Sequence, residues 1–180
     1  MFVLQDPFFW AFVGMFGLLA GTAVVGGTKL GRSALLGFVI VMICDVARII
    51  LVLPFCPQPR FDIGVWNWVV GGIILAVAPV FAAPALSIRW WAAPEENMTL
   101  RTRGIYGIVR NPIYLADILF SLGFAIMFRS IIGVALVPLW WAGFLFIVLT
   151  EEESLERVLG QPYSEYKQQV KGRIIPGLPI

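Results

Sequence analysis

Residues 112–150 read PIYLADILFSLGFAIMF, then RS, then IIGVALVPLWWAGFLFIVLT: two apolar runs joined by Arg129 and Ser130 alone. A linker that short permits only a tight helical hairpin. The second run has the roughly 20 residues that a helix needs to cross a hydrocarbon core about 30 Å thick. Working outward, three further apolar runs precede the hairpin, at 7–26, 33–53 and 64–88. Composition agrees: of 180 residues, 59% are hydrophobic and 13% charged, against roughly 25% charged in soluble domains, and mean hydropathy is +0.88. The expected fold is all-α, a polytopic membrane protein with about five transmembrane helices and short cytoplasmic C-terminal helices. Residues 1–180 read as a single membrane domain, with three N-terminal spans in 1–98 and a motif segment, the hairpin and C-terminal helices in 99–180. The first run lacks a basic leading segment and a small-residue cleavage site, so it reads as a span and not as a cleaved signal.

Several chemistries are excluded by what the chain lacks. It contains no histidine, which removes histidine bases and histidine metal ligands. Its two cysteines, Cys44 and Cys56, have neither metal-ligand spacing nor partners, and read as small buried hydrophobes. No metal is therefore expected. A net charge of +2 without a basic stripe leaves nothing to track a phosphate backbone, so no nucleic-acid partner is expected either.

Basic residues set the orientation, since they are retained on the cytoplasmic side. One set of loops carries Lys29, Arg32, Arg89, Arg101, Arg103, Arg110, Arg157, Lys167, Lys171 and Arg173; the other carries only Arg60 and Arg129. This predicts an outside N-terminus, a cytoplasmic C-terminus and an odd number of spans in an integral membrane protein. Trp66 and Trp68 then fall at the outer interface, and Trp90 and Trp91 at the inner one, where such rings prefer to sit. The connection Pro54 to Asp62 holds three prolines and cannot be helical throughout. The longest connection, Arg89 to Asn111, is the one roomy enough for a site.

Charged residues within spans are costly and are functional candidates by default. Asp45 and Arg48 are three apart on one helical face and can pair; Arg48 either belongs to an internal ion pair or anchors an anionic group of a substrate. Asp117, early in the fourth span, is the third substrate-side candidate.

Two segments at the predicted cytoplasmic face stand apart. The first, Gly104-Ile-Tyr-Gly-Ile-Val-Arg-Asn-Pro-Ile-Tyr114, reads as a helix start, with Asn111 at a capping position and Pro112 at the first helical position. A helix start is also a ready anion site. The second, Glu151-Glu-Glu-Ser-Leu-Glu-Arg-Val-Leu-Gly-Gln-Pro-Tyr-Ser-Glu-Tyr166, leaves the fifth span. Gly160 and Pro162 break the helix there and restart it, placing Tyr163 and Tyr166 on one face of a short helix.

Together, with the hairpin between them, these residues resemble the integral-membrane methyltransferases that include isoprenylcysteine carboxyl methyltransferase and the phospholipid methyltransferases. The resemblance spans residues 98–176 through Gly104, Tyr106, Arg110, Pro112 and Tyr114, then Glu151, Glu152, Leu155, Gly160, Tyr163, Tyr166, Arg173 and Pro176. An Arg-Asn-Pro triplet stands where eukaryotic members carry Arg-His-Pro, as in the bacterial branch. The resemblance implies a cytoplasmic S-adenosylmethionine pocket closed by the C-terminal helices. Its cofactor contacts would come from Met98, Thr99, Leu100, Arg101, Tyr106, Arg110, Asn111, Pro112, Ile113, Tyr114, Glu151, Glu152, Tyr163 and Tyr166. It also implies methyl transfer to a lipophilic or small-molecule acceptor reached from the bilayer. No protein nucleophile is needed. The prenylcysteine enzymes hold the substrate carboxylate with an arginine where this chain has Ile147, so a prenylcysteine acceptor is not expected. Two alternatives stay open: a reductase of similar membrane architecture using NADPH, and a small transporter or assembly subunit with Asp45 and Arg48 as its pathway.

Overall fold

A computed structural model of the chain describes residues 3–27, 32–86 and 100–179. Among the described residues the regular elements are helices: α1 Pro7–Gly27, α2 Arg32–Val52, α3 Trp66–Leu86, α4 Pro112–Met127, α5 Ile131–Leu159 and α6 Gln161–Gln169, with short 3-10 turns at Val3–Gln5 and Gly104–Gly107. The β pairing among these residues is an isolated antiparallel bridge between Arg60 and Ser130.

The helix boundaries follow local chemistry. α1 and α4 both begin at proline, whose missing N–H costs nothing in a first turn. At α1 the Asp6 carboxylate accepts the Phe8 amide at 2.9 Å. Three internal prolines, Pro79 and Pro84 in α3 and Pro138 in α5, sit in apolar helices, where neighbouring groups tolerate them. The fifth apolar run ends at Thr150, and α5 continues unbroken through the glutamates to Leu159, because Glu, Leu and Arg are good helix formers in water as well. It stops where Gly160 adopts φ 61°, a backbone that suits glycine, and α6 restarts with Pro162 in its first turn.

Among the described residues two helices are long and apolar enough to cross a membrane: α3 over Trp66–Pro84, and α5; the shorter segments Pro7–Ala20 and Pro112–Met127 are also apolar. Large hydrophobic side chains face outward, among them Phe8, Phe12, Phe16, Ile73 and Phe146. Such a surface suits lipid and would be a liability in water.

The chain divides into two compact units, residues 1–77 with 118–143, and residues 78–117 with 144–180. In the first, α1 and α2 meet at Gly17, where a Cβ would overlap Cys44 Sγ. α3 and α4 meet at Gly71, where a Cβ would lie 2.8 Å from the Gly123 carbonyl oxygen. Both cysteines are buried, and neither is in a disulfide among the described residues. The proline-rich loop after α2 is pinned by Arg60. Its guanidinium donates to the carbonyls of Val52, Leu53, Cys56 and Phe128, satisfying the orphan acceptors at the ends of α2 and α4. Asn67 does the same for the Met127 carbonyl at 2.7 Å. The hairpin turn closes on Arg129, at φ 60°, and on Ser130, whose hydroxyl accepts the Gly133 amide at 2.8 Å.

Candidate functional site

In the second unit, the two sequence motifs meet. Gly104, at φ 65°, opens the 3-10 turn carrying Tyr106. Beyond that turn the amides of Arg110 and Asn111 donate to the Gly172 and Arg173 carbonyls at 2.9 and 3.0 Å. Gly172 is required there: a Cβ would come within 2.9 Å of Gly177 N and Ile175 O.

Side chains knit the same three segments together. Glu152, 3% exposed, accepts from Arg110 Nε at 2.7 Å and Nη2 at 3.2 Å, from Asn111 Nδ2 at 3.2 Å and from Arg173 Nε at 3.1 Å. Arg110, 7% exposed, places its remaining terminal nitrogen on the Val170 and Lys171 carbonyls at 2.6 and 3.2 Å. A buried guanidinium and carboxylate are tolerable only with their lone pairs and protons so satisfied. Beneath them, Tyr163, Tyr166 and Val170 pack with Leu100, Leu155 and Leu159. The Tyr166 hydroxyl donates to the Tyr106 carbonyl at 2.7 Å. Burial pushes the Tyr166 phenol up to about 12 and raises that of Tyr163 as well.

Glu151 behaves differently from its neighbour. Successive residues of a helix point about 100° apart, so Glu151 and Glu152 cannot serve one partner. Glu151 is exposed and accepts from the Tyr114 hydroxyl at 2.7 Å, while the Tyr114 ring packs 5.4 Å from that of Phe144. Before the first motif, Leu100, Arg101, Thr102 and Arg103 are, among the described residues, the lining of an open cleft of about 410 Å³. Arg101 is exposed. Burial raises the half-buried Tyr106 phenol, and the Arg101 charge partly offsets this.

The structure thus sorts the candidate residues. Arg110, Asn111, Glu152, Tyr163 and Tyr166 join a buried clasp. Leu100, Arg101, Tyr106, Tyr114 and Glu151 keep exposed or half-buried surface. Pro112 is buried and Ile113 half-buried in the first turn of α4. Met98 and Thr99 lie outside the described residues, as do Lys29, Arg89, Trp90 and Trp91. Of the two arginines considered for a ligand carboxylate, Arg110 is already engaged and Arg101 lies open at the cleft. The clasp member that motif reading passed over is Arg173, whose signal was only its place in the motif order.

In the first unit, Arg48, 5% exposed, pairs with Asp45, donates to Ser121 Oγ at 3.3 Å and lies 5.6 Å over the Trp140 ring. Asp117 and the buried Ile147 belong to the second unit. Among the described residues no group of His, Cys, Asp or Glu could hold a metal ion.

The chain matches the family of phospholipid methyltransferases over residues 62–162. It is similar to protein-S-isoprenylcysteine O-methyltransferase B of Arabidopsis thaliana, 27% identical over 157 residues, covering 82% of this chain and 80% of that protein. It is also similar to protein-S-isoprenylcysteine O-methyltransferase A of the same plant, 29% identical over 103 residues, covering 57% of this chain and 52% of that protein. No solved structure matches it.

Proposed function

The chain belongs to the phospholipid methyltransferase family, and from that premise we propose that it moves a methyl group from S-adenosylmethionine to a lipophilic or small acceptor at the membrane. The observation that carries the reading is the division between adjacent glutamates: Glu152 is consumed in the clasp, leaving Glu151 exposed and oriented by Tyr114. When bound, S-adenosylmethionine supplies a methyl group on a cationic sulfur. The residues in position suit such a molecule. Arg101 matches a carboxylate, Glu151 matches an ammonium or ribose hydroxyl, and the faces of Tyr106 and Tyr114 match a cation. Tyr163, Tyr166, Arg110, Asn111 and Glu152 fix the frame on which these contacts stand. The protein's task is alignment and exclusion of water, and no side chain acts as a nucleophile.

The reading extends to the membrane. We infer five spans, α1 to α5, within a single membrane domain, with the N-terminus outside and the C-terminus cytoplasmic in a bacterial inner membrane; the ten-to-two distribution of basic loop residues supports this. Ile147 offers no partner for a buried carboxylate, so a prenylcysteine should be a poor acceptor. Asp45, Arg48 and Asp117 remain the substrate-side candidates.

Calorimetric titration of the purified protein in detergent tests the proposal. S-adenosylmethionine should bind and NADPH should not. Binding of NADPH alone would favour a reductase, and binding of neither would favour a transporter or assembly subunit.

A further inference from the structure

The loops joining α2 to α3 and α4 to α5 carry two basic residues, Arg60 and Arg129, and both line the same pocket. It measures about 220 Å³ and is otherwise walled by Pro54, Trp68, Met127 and Phe128. All six residues lie in the first compact unit. Basic residues are disfavoured in loops on the side opposite the main basic cluster, so each needs a reason to be there.

Arg60 has one in the carbonyls it gathers at the ends of α2 and α4. Arg129 does not. Its backbone sits at φ 60°, the left-handed region where glycine or asparagine is favoured and a long side chain is strained. A strained arginine retained in an exposed turn points to a task for its guanidinium. That guanidinium is 46% exposed and holds Asp62, itself 78% exposed, only at 3.7 Å. The two arginines also repel: burial lowers the Arg60 pKa from its ordinary value, and the Arg129 charge lowers it further. Asp6, just before α1, accepts the Phe8 amide. The pocket combines two guanidinium groups with an apolar wall. The exposed Trp68 ring lies edge-on to Phe128, 6.3 Å between centroids, as amphipathic rings do at the level of lipid headgroups.

We propose that this pocket binds the phosphate-bearing headgroup of an anionic membrane lipid. Arg129 makes the exposed anion contact, Arg60 supplies the fixed charge behind it, and Trp68, Met127 and Phe128 pack against the glycerol and first methylenes. A volume below the roughly 300 to 1,000 Å³ of sites for whole small molecules suits a headgroup whose tails stay in the bilayer. The site is separate from methyl transfer and does not depend on it.

The test reconstitutes the full chain in nanodiscs of phosphatidylcholine, with and without phosphatidylglycerol, and measures retained lipid and Tm. Wild type should enrich phosphatidylglycerol over the bulk ratio and gain Tm with it. Arg129→Gly, which relieves the strained backbone, should lose that enrichment by about fivefold, as expected for one surface arginine. Its Tm in phosphatidylcholine alone should be equal to or above that of wild type, and Arg129→Lys should keep much of the enrichment. Equal enrichment in wild type and Arg129→Gly would overturn the proposal, as would the absence of enrichment in wild type. So would a Tm rise reproduced by inorganic phosphate or glycerol phosphate alone, which would make the ligand a free anion.

Discussion

Replacing Glu152 with alanine removes the acceptor of four hydrogen bonds, two from Arg110 and one each from Asn111 and Arg173. Arg110 would keep only the Val170 and Lys171 carbonyls, leaving a buried guanidinium without a countercharge. Summing four charge-assisted bonds would overstate the loss, since they share one carboxylate and are not additive. Breaking a buried pair by deleting one partner costs about 3 to 5 kcal/mol, a large part of the roughly 5 to 15 kcal/mol that holds a typical domain. Glu152→Gln keeps the shape and part of the acceptor capacity, and should lose about 1.5 to 3 kcal/mol. Reversible unfolding in mixed micelles of mild detergent and dodecyl sulfate, followed by tryptophan fluorescence, measures both. The double variant Arg110→Met with Glu152→Leu removes both charges and should be more stable than Glu152→Ala. A Glu152→Ala variant within about 0.5 kcal/mol of wild type, or a double variant no better than it, would refute the account of a buried ionic clasp.

Glu151→Gln, by contrast, should leave unfolding nearly unchanged while weakening S-adenosylmethionine by roughly 10- to 150-fold, the cost of a charge-assisted hydrogen bond; calorimetric titration reads the affinity. Asn111→His should be tolerated better than Asn111→Leu, because the Asn111 amide donates to Glu152 and to the Arg173 carbonyl, each at 3.2 Å, and leucine cannot; paired thermal melts decide it. Gly71→Ala would drive a Cβ into the Gly123 carbonyl and should cost about 1 to 3 kcal/mol, whereas Gly72→Ala, with open space around it, should be neutral or slightly stabilising on the same unfolding assay. The pH profile of stability follows from the phenols. Folding raises Tyr166 from 10.0 to about 12 and raises Tyr163 too, so their contribution is complete below pH 10 and is lost as pH climbs through the folded values; melts from pH 8 to 12 should be flat and then fall, and Tyr166→Phe should blunt the fall.

What the sequence made legible was mostly local. Arg129 and Ser130 alone between two apolar runs dictate a hairpin, Gly160 with Pro162 dictates a helix break, and a spacing of three puts Asp45 within reach of Arg48. Each of those signals lies within a few residues of what it determines. The apolar run and the helix end at different places, the first at Thr150 where hydropathy falls and the second at Leu159 where Gly160 breaks the backbone. The partition of the site residues was out of reach for another reason. A helix turns about 100° per residue, which separates Glu151 from Glu152 but does not say which faces inward. That depends on Arg110, 42 residues away, and on Arg173, 21 away. Arg60 illustrates the same limit: as a lone loop arginine it looked like an orientation marker, while its donors serve carbonyls contributed by two different helices.

α5 is one uninterrupted helix of 29 residues. At 1.5 Å per residue, Glu151 lies about 30 Å along its axis from Ile131, close to the full depth of a bilayer's hydrocarbon layer. On the proposed topology the helix is a measuring rod: with its first turn at one surface of the lipid, its glutamates emerge at the other, level with the headgroups. In the proposed reaction, the water-soluble charged donor would reach that height from one side and the greasy acceptor from the other, without either crossing the medium hostile to it. Adding or deleting residues before Glu151 would change two things at once, the height of the carboxylates and the compass bearing that separates the structural glutamate from its exposed neighbour. The length of this helix is thus as much a part of the chemistry as any side chain on it.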